Sequence, residues 1–245
     1  MLVLLVAACA TTETAGQDFI VAQSQTQERI VGLLHLPELY GEYPCQAFKA
    51  KKINLYATAS DERPPIGTIE RTNAHKPPEH PDCDEPIVVV RGLNGNISAL
   101  PYDESGDEFR TAVAYERSGR WFRIALSRGS GWIQADPDNF LAYPDILMSE
   151  SFATYLRPGW DGNVWTEPGS GSAEAAPSGW RVYREKEIPI RILATRIVAG
   201  VVWIQIRFES EFCGQTLGKL PPLQGWLPAY KGSVDTSVWF YSRGC

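Results

Sequence analysis

The chain has 245 residues, a formal net charge of −6, 8 Trp against only 2 Met, and 21 Gly with 18 Pro. With no basic block anywhere, it lacks the electrostatic footprint of a nucleic-acid binder, and anionic lipid surfaces have nothing to attract. No stretch sustains a helical period, so short strands joined by many turns, an all-β chain, are the expectation.

Taken in order, the chain opens Met1-Leu2-Val3-Leu4-Leu5-Val6-Ala7-Ala8-Cys9. Val6–Cys9 resembles the lipobox of bacterial lipoproteins, which implies export and acylation of Cys9. Only eight residues precede Cys9 and none is basic, so a mis-assigned start and a fortuitous apolar tail stay open beside a working leader. Residues 1–29 are expected to be this signal and a flexible tether rich in Thr, Gln and Ser. Ile30–Pro37 reads as an entry strand or edge segment packed on the first copy, and Pro37 argues against its continuing as a helix. Leu55-Tyr56 and Ile66-Gly67-Thr68-Ile69 read as a strand pair around the turn-rich Asp61–Pro65. Asn73–Pro86 is too dense in proline for regular structure. Ile87–Arg91 (I-V-V-V-R) reads as a strand buried on both faces, and Asn94-Gly95-Asn96 as a hairpin turn. Asp103–Glu108 reads as an acidic loop, and Thr111–Tyr115 as the approach to a central hairpin.

That hairpin is Gly119–Ile133. Phe122 and Ile124 alternate with Trp121 and Arg123, the pattern of a strand with one face in a core. Ser127–Gly131 supplies the turn, and Trp132 restarts the chain. Past a closing segment at Phe140–Leu147 and a short helical or strand link at Met148–Tyr155, the chain repeats itself. Asn163-Val164-Trp165-Thr166 matches Asn54-Leu55-Tyr56-Ala57, Trp203–Phe208 matches the hairpin strand, and Gly225-Trp226-Leu227 matches Gly131-Trp132-Ile133. Between these matches, Pro168–Ser178 is expected to be an exposed low-complexity loop. Trp180–Tyr183 is expected to be a strand, and Ile188–Val202 a strand broken near Ala199-Gly200.

The W-x-x-I…G-W-[I/L] hairpin, preceded by a strand with an aromatic and by I-G-x-I, resembles the bacterial SH3-like (SH3b) domain. The resemblance covers about Leu55–Leu147 and, more loosely, Val164–Tyr230. It implies two SH3-like small β-barrels in tandem, over 30–150 and 155–245, with cysteine-bearing loop insertions. It also implies that the aromatic at the start of the first strand lines a ligand groove. The groove candidates are Tyr56, Trp121 and Trp132 in the first copy, with Tyr143 near them, and Trp165, Trp203 and Trp226 in the second. Aromatic faces stack glycan or peptide, whereas a Trp in a small barrel is ordinarily core filler, the heavier reading at Trp132 and Trp226.

Export makes disulfides the expected state of Cys45, Cys83, Cys213 and Cys245. Four cysteines allow three pairings, and Cys45–Cys83 with Cys213–Cys245 gives one per copy. His75, His80 and Cys83 have the donor types for zinc, but a disulfide would consume the thiolate that zinc requires. No metal or cofactor is therefore expected. There are three histidines and no G-x-S-x-G elbow, so a nucleophile–base pair has few places to arise. The expected function is a non-enzymatic, exported binding or scaffold module of the cell envelope, periplasmic or lipid-anchored. Its partner would be cell-wall glycan or peptide, or an envelope protein. A purely structural envelope part is the alternative, and a cell-wall hydrolase a remoter one.

Overall fold

The computed structural model describes residues 29–40, 52–72, 87–105, 109–149, 153–181, 186–209, 211–212, 215–216, 220–232 and 235–241. Val6–Cys9, the four cysteines expected in disulfides, and the Asn73–Pro86 segment with His75 and His80 lie outside the described residues.

The first half begins with β1 (Gly32–His35) and the short α1 (Pro37–Tyr40), then β2 (Ile53–Leu55), β3 (Gly67–Thr72), β4 (Ile87–Gly92) and β5 (Ile97–Ala99). It continues through β6 (Asp103–Ser105), β7 (Phe109–Ser118), β8 (Trp121–Ala125), β9 (Ser130–Gln134), β10 (Phe140–Ala142) and α2 (Tyr143–Met148). The second half holds β11 (Ala153–Leu156), β12 (Asn163–Glu167), β13 (Ser170–Ala175), α3 (Ser178–Arg181), β14 (Ile188–Val198) and β15 (Val201–Phe208). Two small hairpins, β16 (Glu211–Phe212) with β17 (Gln215–Thr216) and β19 (Tyr230–Lys231) with β20 (Asp235–Thr236), flank β18 (Gln224–Pro228). The last described strand is β21 (Val238–Tyr241).

The chain is all-β apart from these short helices, and its duplication is larger than the hairpin that betrays it. In the second half seven strands form one sheet, in the order β21-β11-β14-β15-β18-β12-β13. In the first half the order is β10-β1-β7-β8-β9, extended through the antiparallel bridge Tyr56↔Trp132 to β2 and β3. Strand for strand the two orders are the same, and the pairings are antiparallel throughout. The first half adds β4 and β5 beyond β3, and β6 beside β7. Even an irregularity repeats: the β7–β8 register slips between Ala114 and Glu116, opposite Ile124 and Arg123. The β14–β15 register slips between Ile192 and Ala194, opposite the equivalent Ile206 and Gln205. A bulge preserved at one register position is a structural feature of the repeat rather than a defect.

Each half has its own core. Leu34, Leu36, Leu39, Leu55, Ile69, Phe122, Ile124 and Ile133 make the first, and Val88 and Val90 join it from β4. Val164, Trp180, Ile188, Ile190, Ile204, Ile206, Phe208 and Leu227 lead the second. The alternation read from the sequence holds at Phe122, Ile124, Ile204 and Ile206, which are fully buried. It does not hold past Ile124: Ala125, expected outward, is buried, and Leu126, expected inward, is only partly so. Val88, Val89 and Val90 are buried in succession, which covers both faces of β4 as expected.

Several sequence expectations are corrected by pairing. Pro168–Ser178 is no loop, because Ser170–Ala175 forms β13 and pairs with β12, Trp165 opposite Ala173. Its side chains, Ser172, Ala173, Glu174 and Ala175, are exposed, so backbone hydrogen bonds rather than side-chain packing make this edge strand. Trp180 lies in α3, not in a strand. The break expected near Ala199-Gly200 in Ile188–Val202 is there, as a two-residue turn between β14 and β15 with φ +50° at Ala199 and +77° at Gly200, the signs of a type I′ hairpin. Of the two alternatives for the Met148–Tyr155 link, helix or strand, β11 (Ala153–Leu156) is a strand, and it sits inside the sheet between β14 and β21. Part of the acidic loop, Asp103–Ser105, is a strand on β7. Among the described residues no sheet closes on itself.

The halves also pack on each other. Tyr143 and Leu147 of α2, which sequence assigns to the first copy, enter the second core. The Tyr143 hydroxyl donates to the Val238 carbonyl at 2.5 Å. Leu33, Ile146 and Phe240 form a separate buried cluster at the junction, with Val113 and Trp239 against it. β1 is therefore buried on both sides, Leu34 in the first core and Leu33 at the junction.

Candidate functional site

Directly opposed residues on neighbouring antiparallel strands point to the same face. Tyr56 lies opposite Trp132, and Trp132 opposite Arg123. Trp165 lies opposite Trp226, and Trp226 opposite Gln205. The backbones of Tyr56 and Trp132 exchange both hydrogen bonds, at 2.8 and 2.9 Å. Because Leu55 and Val164 turn inward, each of these rows faces away from its core. The first copy's third aromatic, Trp121, meets Tyr56 edge to face, 5.2 Å between centroids at 86°. Trp203 meets Trp165 at 5.5 Å and 78°. All six aromatics singled out in the sequence are thus brought together, as two triads in the same arrangement.

The triads differ in exposure. Tyr56, Trp121 and Trp132 are half-buried, as are Trp165 and Trp203, whereas Trp226 retains 5% exposure. Trp165 also packs a flank on the second core. Trp226 therefore offers no open stacking face, and the core-filling alternative weighed for it is the one its burial fits. Tyr143 is corrected as well. It is fully buried, 5.3 Å from the Tyr230 ring, and forms no part of a surface. Burial pushes its phenol well above the ordinary tyrosine range.

An arginine–glutamate pair borders each triad, and sequence reading missed both. Arg123 Nε is 3.1 Å from Glu116 Oε2, and Arg123 Nη1 donates to Ser130 Oγ at 3.1 Å. In the second half the Arg196 guanidinium lies 5.1 Å from the centre of the Trp226 ring and 3.7 Å from Glu167. The signal that could have found them is cross-strand register: Arg123 opposes Trp132, and Arg196 opposes Trp203. Chemically, each triad offers ring faces and edges beside fixed charge. Such a surface stacks the apolar face of a sugar ring or the side chains of an extended peptide. It contains no nucleophile–base pair. His35, the one histidine among the described residues, lies on β1, and burial lowers its pKa while Glu38 opposes the shift. Among the described residues no group of three His, Cys, Asp or Glu is placed to hold a metal ion.

The inner side of each triad carries a glycine whose role the sequence hides. A Cβ on Gly131 would sit 2.6 Å from Leu55 Cδ1, and one on Gly225 would sit 2.7 Å from Val164 Cβ and 3.2 Å from the Trp165 carbonyl. Only glycine lets the aromatic strand approach the hairpin so closely. The Leu55 contact is a mobile chain end, while Val164 is β-branched and stiff. Gly225→Ala should therefore cost about 2–3 kcal/mol, and Gly131→Ala about 1 kcal/mol. Urea denaturation of the two variants checks the order, and equal costs would contradict it.

No known family, curated protein or solved structure matches the chain.

Proposed function

We propose that this is a non-enzymatic, exported binding or scaffold protein of the bacterial cell envelope. In this reading it consists of two SH3-like modules in tandem, widened by insertions, and holds a cell-wall or protein ligand on its aromatic faces. The observation that carries the reading is the pair of triads. The same three ring positions, with the same strand pairing and edge-to-face contact, occur in both halves on faces turned away from the cores. Packing alone has no need to leave large half-buried rings on an outer face twice, Tyr56, Trp121 and Trp132 in one half and Trp165 and Trp203 in the other. The shared seven-strand order supports the tandem reading, and Val6–Cys9 supports export and a lipid anchor. Disulfides Cys45–Cys83 and Cys213–Cys245, one per copy, belong to the same proposal.

A purely structural envelope role is the second reading, favoured by the apolar junction of Leu33, Ile146 and Phe240. That junction leaves the triads out, so the two readings separate by experiment. The chain from Gln17 onward is spun down with purified peptidoglycan sacculi, beside a Tyr56→Ala/Trp165→Ala double variant. Wild-type pelleting that the variant loses is the expected result. Wild-type protein left in the supernatant refutes wall binding and transfers the weight to a protein partner.

A further inference from the structure

A cleft of about 480 Å³, lined by none of the six triad rings, opens where the two halves meet. Arg123, beside the first triad, stands 5.8 Å from the centre of the Tyr115 ring in its wall. The first half contributes Asp103 and Tyr115, and the second Arg157, Glu187, Trp239 and Tyr241. Its volume lies within the range of small-molecule sites, roughly 300–1,000 Å³.

The polar groups of this cleft are fixed by the protein. Arg157 lies just past β11, where its backbone N–H donates to the Ser237 carbonyl at 2.9 Å. Its Nη1 donates to Thr236 Oγ1 at 3.1 Å, and its guanidinium stands 6.0 Å from the centre of the Trp239 ring. The Tyr241 hydroxyl reaches both carboxylate oxygens of Glu187, at 2.8 and 3.0 Å, and its ring is braced edge-on by Tyr155 at 5.3 Å. Asp103 is held on β6 by pairing opposite Thr111, whose hydroxyl donates to the Asp103 carbonyl at 2.8 Å. Burial pushes the Asp103 carboxyl up to about 6, against a hydrogen bond from the Glu104 backbone and with some help from the Glu104 charge. A carboxylate kept there near neutral pH is destabilised by its surroundings, and a ligand cation would relieve it.

We propose that this junction cleft binds a small zwitterion, a free amino acid or short peptide with free termini. The ammonium is taken by Asp103 and Glu187, the carboxylate by Arg157, and the apolar body by Trp239 and Tyr115. One fixed guanidinium and two carboxyls in one cleft match both ends of such a molecule, and the aromatic walls suit its middle. A ligand seated there touches both halves and ties them together. None of the six triad rings lines the cleft, so the site does not depend on their role.

The test is calorimetric titration of the full chain with trialanine, N-acetyl-trialanine and trialanine amide. Trialanine is expected to bind. Amidation, which removes the partner of Arg157, should weaken it about tenfold, the effect of one charge-assisted hydrogen bond, and acetylation, which removes the partner of both Asp103 and Glu187, about a hundredfold. Asp103→Asn and Glu187→Gln should each weaken trialanine about tenfold while leaving the acetylated peptide, which has no ammonium to lose, unchanged. Arg157→Gln should do the same for the amide. Glu187 is exposed, so Glu187→Gln folds and keeps the test decisive should another variant fail. The Tyr56→Ala/Trp165→Ala variant should bind trialanine like the wild type, which separates this site from the triads. No heat with millimolar trialanine, or affinities that ignore the blocked termini, would overturn the proposal.

Discussion

Replacing Trp180 with alanine is expected to lower the unfolding free energy by about 4 kcal/mol, toward the upper end of single core truncations. Trp180 is 1% exposed and enters the second core from the four-residue α3. Its ring lies 4.6 Å from that of Phe208, which also meets Trp160 at 5.2 Å. Its Nε1 donates to the Pro221 carbonyl at 2.8 Å, fastening the segment before β18 across the core. Alanine would empty an indole-sized volume that stiff neighbours such as Ile188 and Ile206 cannot fill. Trp203→Ala, on the half-buried outer face, should cost only about 1 kcal/mol because water already reaches it. Urea denaturation followed by circular dichroism measures both. Similar costs at the two positions would contradict the placement of Trp180 at the centre and Trp203 on the face.

Phe240→Ala should cost about 3–4 kcal/mol, and its effect should differ in kind. Phe240 is 1% exposed and stacks on Trp239 at 4.8 Å. It joins Leu33 of β1 and Ile146 of α2, so its ring belongs to the contact between the halves rather than to either large core. Two other ties cross the same junction. The Tyr230 hydroxyl donates to the Ile30 carbonyl at 2.7 Å, and the Arg29 guanidinium lies 3.9 Å from the centre of the Tyr230 ring. Truncating Phe240 should therefore split a single calorimetric transition into two, one per half, while Trp180→Ala lowers the second half directly. A single shifted transition in Phe240→Ala would mean that the remaining ties suffice to couple the halves.

The sequence carried the local part of this architecture unaided. Period-two alternation in Trp121–Ala125 and Val201–Phe208 puts Phe122, Ile124, Ile204 and Ile206 inside, since one buried face is all a strand's pattern encodes. The matching tetrads at Asn54 and Asn163 and the repeated Gly-Trp marked a duplication, and with it the six ring positions that do meet. What required tertiary structure is everything set by partners distant in the chain. β11 and β13 have no strong pattern of their own. One became a strand because β14 and β21 pair with both its edges, the other because β12 offers a free edge to backbone that any small residue can present. Trp180, Tyr143 and Trp226 look in sequence like the other aromatics. Only the closure of α3 and α2 over the second core, and the crowding of Trp226 by its neighbours, decides that these three are buried while Tyr56, Trp121 and Trp203 keep exposed surface. The junction cleft is the extreme case. Asp103 and Glu187 lie far apart in the chain and share no motif, and they line one cavity because Leu33, Ile146 and Phe240 pack the halves together. Alternation is written along the chain, whereas burial of an aromatic and the company of a charge depend on which surfaces meet.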